Sequence, residues 1–137
     1  MFKLNFIILT LVSVSFFGCE KENNEDDTNY NIPSIKAGTE YPLGDTIFIQ
    51  GTITSLEGLN GFHIEIKNSS ANDSIVFQLS NSNISKSFFI DTFWINDVNA
   101  HSDMLFMAFA DDDENEEKDD NDEENESLLI PFHCHPM

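Results

Sequence analysis

Residues 127–137 read SLLIPFHCHPM, and their alternation sets the fold. As a strand, this stretch places Leu128, Ile130, Phe132 and Cys134 on one face and Leu129, Pro131, His133 and His135 on the other. One face closes a core; the other displays two imidazoles. The same period of two recurs upstream. Thr46–Thr54 puts Ile47, Ile49, Gly51 and Ile53 on one side, and a Gly44-Asp45 turn precedes it. Leu56–Gly61, with two glycines, reads as a connector. Phe62, Ile64 and Ile66 then face inward while His63, Glu65 and Lys67 face outward. Asn68–Asp73 is a turn-rich tip, and Ser74–Leu79 is a strand with Ile75, Phe77 and Leu79 on one side.

Ser80–Lys86 is polar and reads as a loop. Phe88–Ile95 follows as a strand, with Trp94 its large core anchor. Asn96–Asp103 reads as loop, and Met104–Ala110, apolar on both faces, as a central strand covered on two sides. No helical period occurs beyond the first 18 residues. Six or seven short strands separated by turn signals predict an all-β, immunoglobulin-like antiparallel β-sandwich, with a barrel as the alternative.

The first residues carry a different signal. Lys3 precedes an apolar run, Leu4–Phe17, too short for the ~20 residues a spanning helix needs. The run closes on Ser15-Phe16-Phe17-Gly18-Cys19, which resembles a lipobox with Cys19 as the lipidated residue; Phe17 stands where a small residue is usual. Residues 1–18 therefore read as a lipoprotein signal peptide, residues 19–31 as an acidic flexible tether, and residues 32–137 as the β-domain. Glu20-Lys21-Glu22 and Glu25-Asp26-Asp27 resemble the export signal that sends Bacteroidetes lipoproteins to the cell surface, which implies the outer membrane. The alternative is a lipoprotein that faces the periplasm.

Composition excludes one class of partner. Twenty-five acidic residues against six lysines give a net charge of −19, which repels nucleic-acid phosphates and leaves no polybasic membrane patch. Membrane contact is expected through lipid on Cys19, and a protein or glycan partner at the cell surface.

Asp111–Glu126 holds twelve acidic residues, three Asn and one Lys. Ordering these sixteen residues would cost on the order of 16 to 32 kcal/mol of backbone entropy with no apolar burial to offset it. A disordered loop at a hairpin tip is the expectation. Asp111, Asp113 and Asn115 have the start of a calcium loop, with Asp122 in the twelfth place. Glu116, however, stands where the turn demands Gly, so weak counterion uptake is expected rather than a tight site.

The histidines are the candidate transition-metal ligands. His133 and His135, two apart on one strand, share a face. If that strand pairs with Met104–Ala110, and this in turn with the strand of His63, then His63 stands two strands away, about 10 Å. Met107 is expected between them, and His101 precedes the central strand. Imidazoles with the Met107 thioether suit copper; imidazoles with a carboxylate such as Glu65 suit zinc. Cys134 faces the apolar side and reads as a buried small hydrophobe. No nucleophile elbow, phosphate loop or zinc-protease helix is present, so the expectation is a binding module rather than an enzyme. A structural subunit of a surface complex with no metal site is the other reading, docked through a sheet edge or an aromatic outer face.

Trp94, Asn96-Asp97-Val98, Ala100-His101-Ser102-Asp103-Met104 and the terminal Phe132-His133-Cys134-His135-Pro136-Met137 resemble a group of small Bacteroidetes lipoproteins of unknown function, the DUF4625 family. The resemblance covers Thr46 onward. It implies a further His-x-His before the Trp-bearing strand and an Asp-His-Glu-Gly-Asn turn at the last hairpin. This chain has Asn83-Ile84-Ser85-Lys86 and the acidic tract there, so a multi-histidine family site would be only partly retained. Asp45-Thr46-Ile47, Asp73-Ser74-Ile75 and Asp91-Thr92-Phe93 also resemble the tripeptide that is O-glycosylated in exported proteins of that phylum. The alternative is a turn residue leading into a strand.

Overall fold

A computed structural model describes residues 28–111 and 127–137. The expected signal peptide and Cys19 lie outside these residues. So do tether residues 19–27, the acidic positions 112–126 and, with them, Asp113, Asn115 and Asp122.

Among the described residues eight strands form two sheets. They are β1 (Asn29–Asn31), β2 (Glu40–Pro42), β3 (Thr46–Leu59), β4 (Gly61–Asn68), β5 (Ser74–Asn81), β6 (Ser85–Ile95), β7 (Ser102–Asp111) and β8 (Ser127–His135). One sheet has the order β1-β3-β6 and the other β2-β8-β7-β4-β5. The fold is a β-sandwich of immunoglobulin-like order, with β8, β7 and β4 adjacent as expected. Alternating side chains from the two inner faces make the core. Ile47, Ile49 and Ile53 come from β3 and Trp94 from β6; Ile64, Phe106 and Phe132 come from the facing sheet, and all are buried.

Several sequence expectations need correction. The sheet pairing is mixed rather than purely antiparallel, because β2 runs parallel to β8. Asn29–Asn31, assigned to the tether, is a strand paired with β3. Leu56–Gly61 is no connector: β3 runs on to Leu59, and its register with β6 shifts between Thr54 and Leu59. Gly58, at φ 115°, supplies the bend, since this region of backbone space favours glycine. On β5 a register shift opposite Ile66 and Lys67 turns Ile75 outward, and it is exposed. Only one face of β7 is covered. Met104, Phe106 and Ala108 are buried, whereas Leu105, Met107 and Phe109 are half-exposed.

Two local features hold the sandwich in shape. A Cβ on Gly51 would collide with the main chain of Asn31 and Ile32, so glycine is what lets the chain cross β3 and deliver Ile32 to the core. Asn96, 1% exposed, ties the end of β6 to the corner between β2 and β3. Its Nδ2 donates to the carbonyls of Tyr41 (3.0 Å) and Pro42 (3.1 Å), and its Oδ1 accepts from the Val98 amide (3.0 Å). Its main chain donates to Asp45 O (2.8 Å) and accepts from Gly44 N (2.8 Å).

Asn96→Ala removes the donor to the Tyr41 carbonyl and one of two donors to the Pro42 carbonyl, which keeps the Asp45 amide (3.1 Å), and strands the Val98 amide. Each buried orphan costs about 1–3 kcal/mol, and a loss of about 3 kcal/mol is expected in urea unfolding; a loss under about 1 kcal/mol would show that water replaces the side chain. Gly51→Ala is expected to cost about 2 kcal/mol or more through forced backbone movement, read in the same experiment beside exposed Glu57→Ala as a neutral control.

Candidate functional site

The β7–β8 and β2–β8 ladders set the geometry around the histidines. Asp103 is the register partner of His133 in β7, and Glu40 is its partner in β2. Ser102 stands opposite Cys134. These strand ends, with Ser70, His101 and His135, line a surface recess of about 590 Å³. Three of the four candidate imidazoles therefore share one place.

Their ring nitrogens differ in availability. His133 Nδ1 lies 2.8 Å from Asp103 Oδ1, and His135 Nδ1 lies 2.9 Å from the carbonyl oxygen of Pro136. A carboxylate or carbonyl only accepts, so in the neutral ring Nδ1 carries the proton and Nε2 keeps its lone pair. Such a contact orients a ligating imidazole in metal sites. His101 stacks on His135, with centroids 6.1 Å apart and ring planes 23° apart. Among the described residues, however, no three His, Cys, Asp or Glu side chains converge to hold a metal.

His63 does not join this set. It shares the outer face of the five-stranded sheet, but its register partner is Phe109, six residues along β7 from Asp103. At ~3.4 Å per residue that is roughly 20 Å, not the expected 10 Å. Met107 lies opposite Glu65 and Leu129 rather than between imidazoles. Sequence reasoning fixed which strands are neighbours but not their stagger, and the stagger separates His63 from the rest. It also brings in Asp103 and Glu40, which the sequence reading missed because nothing local marks them. Asp111 closes β7 as an exposed residue, remote from the recess.

Glu65 has a structural role instead. Lys67 Nζ lies 2.8 Å from Oε1 and His63 Nε2 lies 3.3 Å from Oε2. Burial works to raise its pKa, but the hydrogen bonds from Lys67 and His63 outweigh it and leave the carboxyl below its usual value. Both oxygens are engaged, so Glu65 makes a poor zinc ligand. Cys134 is buried, and desolvation, helped by the charge of Asp97, pushes its thiol up to about 11. It stays protonated at neutral pH, as a buried small hydrophobe would, and is no ready nucleophile.

The three Asp-Ser/Thr-apolar tripeptides fall in unlike places. Thr46 and Ser74 are exposed first residues of strands, as the turn reading requires, whereas Thr92 is half-buried within β6. No protein-family model matches this sequence, and no curated protein does.

A second surface lies on the three-stranded sheet. Its outer face displays Phe48 (54% exposed), Phe89 (76%), Phe93 (55%) and Ile95 (52%). Phe48 and Phe93 are register partners, as are Thr46 and Ile95, Thr52 and Phe89, and Gln50 and Asp91. The Gln50 Nε2 amide donates to Asp91 Oδ1 at 2.8 Å. Thirteen phenylalanines made an aromatic core easy to expect; that three of them face solvent together follows from the phase of β3 and β6.

A depressed carboxyl stabilises the fold above its unfolded-state pKa, and that contribution is lost as pH falls through the folded-state pKa. Glu65→Gln is therefore expected to lower stability at pH 7 and to flatten the loss of stability below pH 4.5. Thermal melts across pH 2.5–7 check this, and parallel curves for both proteins would exclude the pairing as a source of acid sensitivity.

Proposed function

We propose that this chain is a lipid-anchored module of the cell envelope that docks a partner protein through the outer face of its three-stranded sheet. The observation that carries this reading is the row of exposed aromatic and aliphatic side chains formed by Phe48, Phe89, Phe93 and Ile95 on one flat face. Phe48, Phe93 and Ile95 cluster at one end of the face and Phe89 lies beyond the Gln50–Asp91 pair, and exposed apolar groups gathered on one sheet face mark interaction sites. The strongly acidic chain sets the partner's charge as neutral or positive. The buried Cys134 thiol in the recess stays protonated at neutral pH, which favours a binding role over thiol chemistry there.

Phe48→Ala/Phe93→Ala, both exposed, is expected to keep the melting temperature within about 2 °C and to reduce capture of envelope proteins crosslinked to the wild-type chain at least tenfold. An unchanged crosslinking pattern would remove this face from consideration.

The histidine recess favours a second, compatible reading in which a transition-metal ion, copper or zinc, binds His133 and His135, with His101 as a third donor after a change of rotamer. Its support is the pair of Nδ1 contacts that leave both Nε2 atoms available. With fewer than three convergent donors the affinity is modest, and water completes the coordination. After dialysis against zinc or copper, near one equivalent of metal is expected by mass spectrometry. It should vanish in His133→Ala/His135→Ala, persist when residues 111–126 are deleted, and persist in His63→Ala. Metal lost only with the acidic tract would assign the uptake to counterions.

A further inference from the structure

We infer that the β6 edge of the docking sheet accepts an extended partner strand with apolar residues opposite Phe89 and Phe93 and a lysine or arginine opposite Asp91. This rests on reading the same sheet as the docking surface and specifies how the partner sits there.

The direction of the β6 main chain follows from Gln50. Its amide donates to Ser34 Oγ at 2.8 Å, and its carbonyl accepts from the Ser34 hydroxyl at 3.3 Å. Both groups therefore point away from β6. Gln50 is the register partner of Asp91, so theirs is a non-hydrogen-bonded pair, and Asp91 turns its own N–H and C=O to the free side of β6. The period of two gives Phe89 and Phe93 the same direction. At the start of the strand, Ser85 Oγ accepts from the Ser87 amide (3.2 Å) and donates to its carbonyl (2.8 Å). The open stretch thus begins at Phe89.

Among the described residues this edge carries none of the usual defences. Natural sheets blunt their edges with short strands, proline, bulges or charge, because unpaired main-chain groups recruit other strands. In this protein β1 and β2 are three residues each, β2 ends in Pro42, and β5 pairs across a register shift. By contrast β6 has eleven residues with neither Pro nor Gly, and its pairing from Ser87 to Ile95 is unbroken. Asp91 is the one charge on the open stretch, held on the outer face by Gln50.

A strand added here would pair its own outward residues with Phe89, Asp91 and Phe93, and cross-strand neighbours on one face select each other by type. Apolar side chains opposite the two rings would extend the exposed aromatic row. A cation opposite Asp91 would use the carboxylate oxygen that Gln50 leaves free. A second copy of this chain fits less well. The antiparallel register that sets Phe89 against Phe93 of the copy puts Asp91 directly opposite itself, and it brings together two chains of net charge −19.

The test uses the purified full-length chain with the peptide acetyl-Thr-Phe-Thr-Lys-Thr-Phe-Thr-amide and its Glu-for-Lys counterpart, read by amide hydrogen exchange and fluorescence titration. Expected are at least tenfold slower exchange at the Phe89, Asp91 and Phe93 amides with the lysine peptide, at least tenfold weaker binding of the glutamate peptide, and a reversed preference in Asp91→Lys. Phe89→Pro removes an outward N–H that the intramolecular ladder does not use, so it should abolish binding without lowering the melting temperature, while Phe89→Ala only weakens binding.

Peptide binding that survives Phe89→Pro and leaves those amides fast would overturn strand addition while the aromatic docking face stands. No peptide binding, with self-association abolished by Phe89→Pro, would make the occupant a second copy and overturn the proposal. No binding and no self-association would overturn it as well.

Discussion

The corner held by Asn96 is the constraint on which the arrangement of the two candidate surfaces depends. β2 and β3 are separated by three residues, Leu43 to Asp45, and the chain must pass from one sheet to the other within that distance. Such a corner leaves main-chain groups without ladder partners, and burial makes each orphan costly. Asn96 closes them with both its side chain and its main chain. With the corner fixed, β2 runs parallel to β8, and Glu40 stands beside His133. The recess at the end of β8 is thus partly a product of an amide side chain from the opposite sheet.

The two sheets present different chemistry to solvent. On the five-stranded sheet, Leu105, Met107 and Phe109 form a half-exposed apolar stripe between Glu65 with its partners and β8. His63, Glu65 and Lys67 flank that stripe on the β4 side, and Leu129 and Pro131 continue it on the β8 side. On the three-stranded sheet Thr46, Gln50, Thr52 and Asp91 alternate with Phe48, Phe89, Phe93 and Ile95, and only Asp91 of these is charged. The histidine recess and the aromatic face belong to different sheets. The proposed metal uptake and the proposed docking would therefore draw on different residues.

Part of this was legible before the tertiary structure. Alternation identified β4, β6, β7 and β8, placed Trp94 and Cys134 inside, and set His133 beside His135 on an outer face, because the period of a strand is a local property. The polar stretch from Asn96 to Asp103 read as a loop, and it is one up to His101. Nothing local distinguished Asn96 from the other asparagines, since its value lies in carbonyls more than fifty positions earlier in the chain. The β3 extension through Leu56 was likewise hidden, because Gly58 reads as a turn signal when it is a bend within a strand.

The sequence by itself determined the fold class and the inward and outward faces of most strands. These depend on composition and on spacing of one or two residues. The tertiary structure alone decided the stagger of β4, β7 and β8, and with it the separation of His63 from His133 and the arrival of Asp103 and Glu40. It also decided that β6 is an edge whose main chain faces outward beside three exposed phenylalanines. Register and edge position are set by how all the strands pack at once, and a shift of two residues keeps every face while moving each neighbour by roughly 7 Å.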